Sequence, residues 1–74
     1  MKFDRHSLAT SLRERRKALH LDQKDLAELS GASIHTIINV ETGKGNPTLE
    51  VTQRILDAVG LELVLQIRNT EGKA

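Results

Sequence analysis

Residues 22–43 read D-Q-K-D-L-A-E-L-S-G-A-S-I-H-T-I-I-N-V-E-T-G, two short apolar-periodic runs, each closed by a glycine. Asp22 suits the N-cap of a helix running from Gln23 to about Ser30, with Leu26, Ala27 and Leu29 as its apolar positions. Gly31 stops that helix. Ser33 caps a second run, Ile34 to Thr42, which Gly43 closes. The link Leu29-Ser30-Gly31-Ala32-Ser33 restarts the chain within a few residues, the spacing of a helix-turn-helix.

A helical wheel of the second run sorts its residues. Ile37 and Val40 point toward the other helices, with Thr36 and Glu41 at the edges. Ile34, His35, Ile38, Asn39 and Thr42 share an outward arc of roughly 140° at ~100° per residue. A helix that enters a DNA groove needs a face of this kind.

Upstream, Asp4 suits the N-cap of a first helix, and Phe3 can staple onto Leu8. Leu8, Ala9, Leu12 and Leu19 make its apolar stripe. His20 falls where that helix ends, in a position suited to a left-handed residue. Lys44-Gly45-Asn46-Pro47 reads as a loop. Thr48 then caps a fourth helix with Leu49, Thr52, Ile55, Leu56 and Val59 on one face, ended by Gly60. Residues 60–68, G-L-E-L-V-L-Q-I-R, switch to a two-residue alternation, the pattern of a strand. The expected organisation is an α-helical DNA-binding domain over residues 1–60, a strand over 61–68 and a tail over 69–74.

The chain has 74 residues, no cysteine and Phe3 as its one aromatic residue. Disulfides and thiolate metal sites are excluded. Proteins that hold single strands or RNA loops stack bases on aromatic rings, so duplex DNA or protein is the better expectation. No apolar run is long enough to span a bilayer and the N-terminus lacks an apolar signal region, which predicts a soluble intracellular protein without a membrane partner. Net charge is +1, unevenly spread. Residues 1–20 carry Lys2, Arg5, Arg13, Arg15, Arg16 and Lys17 against Asp4 and Glu14, a balance of +4. Such a helix presents either a solvated basic face or a phosphate-facing one.

Catalysis finds no support. Ser33 and His35 are two apart on a helix, so their side chains diverge. No nucleophile elbow, phosphate loop or two-histidine zinc motif occurs. His6, His20 and His35 lie on separate elements, which argues against a metal site. The expectation is a non-enzyme with no cofactor and no metal.

The run from Leu21 to Pro47, L-D-Q-K-D-L-A-E-L-S-G-A-S-I-H-T-I-I-N-V-E-T-G-K-G-N-P, resembles the Cro/repressor (Xre) helix-turn-helix family. The resemblance covers about residues 8–60 and implies a lambda-repressor-like domain of four to five helices. It implies DNA contact by Gln23 at the start of helix two, by Ser33, Ile34, His35, Thr36, Ile38 and Asn39 on the recognition helix, and by Lys44 and Asn46 in the loop beyond. Arg16 and Glu41 match an ion pair that ties helix one to helix three. Four positions depart from the family pattern. Isoleucine at 34 and 38 cannot hydrogen-bond a base edge, which leaves direct readout to His35 and Asn39 and a thymine methyl to the isoleucines. Asp22 places a carboxylate near expected phosphates. His20 stands where relatives carry glycine.

The C-terminal alternation has no partner inside the chain, and a copy of itself would supply one. Leu61, Leu63, Val64, Leu65 and Ile67 are the expected dimerisation residues, pairing antiparallel across a two-fold. A two-fold dimer reads an inverted repeat. This ending, with G-K-G-N-P-T-L-E-V before helix four, resembles the HipB-type antitoxins of bacterial toxin–antitoxin operons. That likeness implies a cytoplasmic, nucleoid-associated homodimer that represses its own operon and binds a HipA-like kinase toxin. Two other readings stay open. One is a stand-alone or prophage regulator without a toxin. The other is a protein-interaction module that has lost DNA binding.

Overall fold

The computed structural model describes residues 5–64. Four helices follow one another: α1 (Arg5–Ala18), α2 (Gln23–Ser30), α3 (Ile34–Thr42) and α4 (Leu49–Ala58). The expected staple between Phe3 and Leu8, with its Asp4 cap, lies outside the described residues.

Local chemistry accounts for most of the boundaries. Asp22 accepts from the Asp25 amide at 2.7 Å, and Asp25 returns the bond from the Asp22 amide at 3.0 Å, a capping box with acid at both ends. The Ser33 hydroxyl accepts from the Thr36 amide and the Thr48 hydroxyl from the Val51 amide, both at 3.1 Å. Each such cap stabilises its helix by about 1 kcal/mol relative to alanine. Helix α1 ends as the sequence predicts: His20 is left-handed, φ 59°. Its amide donates to the Lys17 carbonyl and that of Leu21 to the Arg16 carbonyl, the paired bonds of a Schellman turn. In the turn between α2 and α3, Gly31 adopts φ 77° and its amide donates to the Ala27 carbonyl at 2.9 Å. A side chain there would be strained. Ser30 completes the turn by accepting from the Ala32 amide at 3.2 Å.

The core is Leu12, Leu26, Ile37, Val40, Ile55, Leu56 and Val59, all buried. It lies where α1 packs on α3 and where α2 packs on both α3 and α4. Three expected apolar positions turn outward instead. Leu19 is 40% exposed, Leu29 is 62% exposed and Leu49 is 64% exposed. Leu19 sits beyond the end of α1, where the chain is already turning, and Leu49 is the first residue of α4, ahead of that helix's contact. Arg16, one turn after Leu12, takes the inward position instead and is buried.

The expected C-terminal strand is not formed among the described residues, which are helical or irregular. Leu61 and Leu63 pack half-buried against the core, while Glu62 and Val64 are exposed. The alternation therefore exists as burial, without a ladder. A ladder needs a second strand, and residues 5–64 of one chain supply none. Leu65 and Ile67 lie outside the described residues, as do positions 69–74.

Candidate nucleic-acid interface

Helix α3 divides largely as its wheel predicts, with two departures: Asn39, expected outward, is half-buried, and Glu41, expected at the edge, is buried. Ile37, Val40 and Glu41 are buried. His35 and Thr42 are exposed, Ile34 is 46% exposed and Ile38 38% exposed, so two branched apolar side chains stand in solvent beside His35. Thr36 is half-buried, and its hydroxyl meets that of Ser33 at 2.9 Å. Ser33 thus uses its oxygen on the helix cap and on Thr36. Thr42 Oγ1 donates back to the Ile38 carbonyl at 2.8 Å. His35 makes no such local commitment among the described hydrogen bonds.

Asn39 is half-buried. It packs under the α3–α4 loop, where Gly45 adopts φ 72° and a Cβ would come within 3.1 Å of Asn39 Nδ2. Arg5, from the first turn of α1, reaches the same loop: Nη1 donates to the Gly45 carbonyl at 3.0 Å and Nη2 to Asn46 Oδ1 at 3.3 Å. Lys44 is exposed beside them. Arg5, Leu8, Asn39, Lys44, Asn46 and Thr52 line part of one shallow cleft at the C-terminal end of α3. Sequence reasoning named Asn39, Lys44 and Asn46 but missed Arg5, which lies 40 residues from its loop partner and carries no local signal.

Behind α3 lies a charged network. Arg16 Nε donates to Glu41 Oε2 at 2.6 Å and Arg16 Nη2 to Oε1 at 3.0 Å. Arg16 Nη1 donates to the Leu21 carbonyl, in the link between α1 and α2, at 2.9 Å. Gln23 Nε2 donates to the same Glu41 Oε1 at 3.1 Å. The resemblance implies DNA contact for Gln23, yet its side chain is half-buried and tethered to the Arg16–Glu41 pair. The Arg16 guanidinium is pushed above its ordinary value by its hydrogen bonds to Glu41, with burial opposing and the nearby carboxylate charges assisting.

Two other basic residues of α1 are also committed. Arg13 Nη1 donates to the Glu41 carbonyl, in the last turn of α3. Arg15 Nε donates to the Val59 carbonyl, at the end of α4, at 2.7 Å. A cation at a helix C-terminus satisfies an orphan carbonyl and meets the negative end of the helix dipole. Arg13 and Arg15 are therefore clamps on the ends of other helices. Arg13 is half-buried, while Arg15 and Lys17 are exposed, so the solvated face expected from the charge of α1 holds for those two.

Among the described residues no cluster of histidine, aspartate and glutamate could hold a metal ion, and no helix is long and apolar enough to cross a membrane. Two short helices joined at Gly31, with the second presenting an uncommitted outer face, define a helix-turn-helix domain. A helix-turn-helix family profile matches residues 12–66. Over 60 residues the chain is 42% identical to an HTH-type transcriptional regulator of Methanothermobacter thermautotrophicus, itself uncharacterized; the match covers 81% of this chain and 87% of that protein. The chain belongs to the helix-turn-helix family, whose domains bind DNA.

Proposed function

We propose that this chain is a sequence-specific, duplex-DNA-binding transcriptional repressor that acts as a homodimer on an inverted-repeat operator. The observation that carries the reading is the outer face of α3, where His35 is exposed and Ile34 and Ile38 stand in solvent without a core role. In a major groove His35 meets a base edge or phosphate, and the isoleucines meet thymine methyls. Lys44 neutralises a phosphate from the adjoining loop, with Asn46 beside it. Asn39 lies at the inner margin of this face and reaches DNA only together with the loop it supports.

Dimerisation is part of the proposal. Leu61 and Leu63 turn toward the core and leave Glu62 and Val64 outward, so one row of side chains stays uncovered. Antiparallel pairing of residues 61–67 with a second copy would satisfy its backbone and supply the two-fold that an inverted repeat requires. The antitoxin reading rests on the resemblance of this ending and of G-K-G-N-P-T-L-E-V to HipB-type antitoxins. Its partner would be a HipA-like kinase, and the test is co-purification with the product of an adjacent kinase gene. Absence of such a gene leaves a stand-alone regulator.

A second reading is favoured by the same isoleucine pair: an interaction module that docks protein on α3. Fluorescence anisotropy with the duplex upstream of the protein's own gene, at several salt concentrations, separates the two. DNA binding predicts a specific complex that weakens steeply as salt rises. A protein module predicts no complex with any duplex at low salt.

A further inference from the structure

Glu41 carries more partners than an ion pair needs. Its carboxylate takes two hydrogen bonds from Arg16 and a third from Gln23, and its side chain is 2% exposed. An ionised carboxylate is acceptor-only, so it can face only the NH2 end of a glutamine amide. That fixes the sense of the Gln23 side chain: Nε2 inward, Oε1 away from Glu41. One N–H of Nε2 is spent on Glu41. The other has no hydrogen-bond partner among the described residues, and Gln23 is only half-buried.

Gln23 is the first residue of α2, the helix that crosses the DNA backbone when its neighbour lies in the groove. The capping box spends carboxylates of Asp22 and Asp25 at this same end, so the helix terminus offers phosphate little attraction of its own. Beside the exposed Lys24, that end of α2 carries a neutral side-chain donor held by Glu41. We propose that Glu41 is a positioning residue for DNA binding. By holding one N–H of Gln23, it aims the other at a backbone phosphate, so the Arg16–Glu41 pair sets affinity as well as stability. The inference rests on the DNA-binding reading above.

A double-mutant cycle tests it. Gln23→Ala is made in the wild-type background and in Arg16→Met/Glu41→Leu, an apolar replacement of the whole pair chosen because it leaves no buried charge unmatched. Thermal melts establish that each variant is folded at the assay temperature. In the wild-type background Gln23→Ala should weaken operator and random duplex alike, by about 10-fold, as for a hydrogen bond to a charged group. Because the donor is neutral, the salt dependence should not change. In the apolar-pair background the same substitution should cost less than about 2-fold, since an untethered side chain gains little from a bond it must be ordered to make. NMR supplies a readout without DNA: the Gln23 side-chain amide protons should be exchange-protected in the wild type and lose that protection in the apolar-pair variant. An equal cost of Gln23→Ala in both backgrounds overturns the positioning role while leaving DNA binding intact. So does an unprotected Gln23 amide in the wild type. A wild-type protein that binds no duplex at low salt instead overturns the functional reading, and the proposal with it.

Discussion

Arg16 on α1 and Glu41 on α3 are joined by two charge-assisted hydrogen bonds, at 2.6 and 3.0 Å, and both side chains are almost wholly buried in a small domain. Both ions are largely removed from water, at 11% and 2% side-chain exposure. Such a pair gains little over an apolar replacement, but stranding one member is costly. Arg16→Met alone should destabilise the domain by about 3–5 kcal/mol, and Arg16→Met/Glu41→Leu should recover most of that loss. Urea unfolding measures both. Equal losses in the single and double variants would mean that the pair itself contributes the stability.

The same pair should add no pH dependence to stability in the neutral and mildly alkaline range. Folding raises the Arg16 pKa, chiefly through its hydrogen bonds to Glu41. A group raised on folding contributes fully below its unfolded value and loses that contribution only as pH climbs through the folded one. For arginine that window lies beyond working conditions. Urea midpoints of wild type and Arg16→Met should therefore keep a constant separation as pH is raised from neutral to mildly alkaline. A separation that shrinks across that range would contradict the assignment.

His20 sits in the left-handed turn after α1 at φ 59° and is exposed. A non-glycine residue in this conformation costs roughly 1–2 kcal/mol, offset in part by the greater freedom of glycine in the unfolded chain. His20→Gly should therefore stabilise the domain by about 0.5–1 kcal/mol and raise Tm by several degrees, at roughly 4–8 °C per kcal/mol for a chain this small. A lower Tm in calorimetry would show that the imidazole makes a stabilising contact.

The loop gives the opposite case. Gly45→Ala combines a strained φ of 72° with a Cβ 3.1 Å from Asn39 Nδ2. It should cost about 1–2 kcal/mol. It should also shift the Asn39 amide resonances, which a two-dimensional NMR spectrum reports. Unchanged stability and an unmoved Asn39 would mean that the loop yields freely and does not set the position of that side chain.

Contacts to bases and to phosphates should separate by mutation. His35→Ala should reduce discrimination between operator and random DNA by about 1–3 kcal/mol if it reads a base. Lys44→Ala should weaken both duplexes about equally and reduce the slope of log K against log salt by about 0.9. Anisotropy titrations with both duplexes measure this. The reverse pattern would exchange the two roles.

Val64 is 53% exposed, whereas Leu63 is half-buried against the core. Val64→Lys should therefore weaken a strand-paired dimer and leave the thermal stability of the helical domain nearly unchanged. Sedimentation velocity is the measurement. A wild-type protein that is monomeric at high concentration, or a variant that dimerises as well as the wild type, would contradict the pairing.

The helices were legible because their ends are written locally. Asp22, Ser33 and Thr48 cap by reaching three residues ahead, and His20 and Gly31 stop helices through their own backbone angles. The buried and exposed sides of α3 followed from its period except at Asn39, which the α3–α4 loop covers. What was not legible is the use of each arginine. Arg5, Arg13 and Arg15 find carbonyl groups 40, 28 and 44 residues away, and no local pattern distinguishes such a clamp from a solvated charge. The Arg16–Glu41 pair came from family resemblance, and the bond from Gln23 came from neither source. Alternation at residues 61–64 described correctly which side chains turn inward, but pairing is a property of two segments, and one of them is not in residues 5–64.

The most direct test of the central claim is the affinity of the wild-type protein for the duplex upstream of its own gene, against random duplex of equal length, as salt is raised. The account predicts a specific complex at least about 10³-fold tighter than random binding, with log K falling linearly against log salt. Equal affinity for the two duplexes, or no complex with either at low salt, would contradict it.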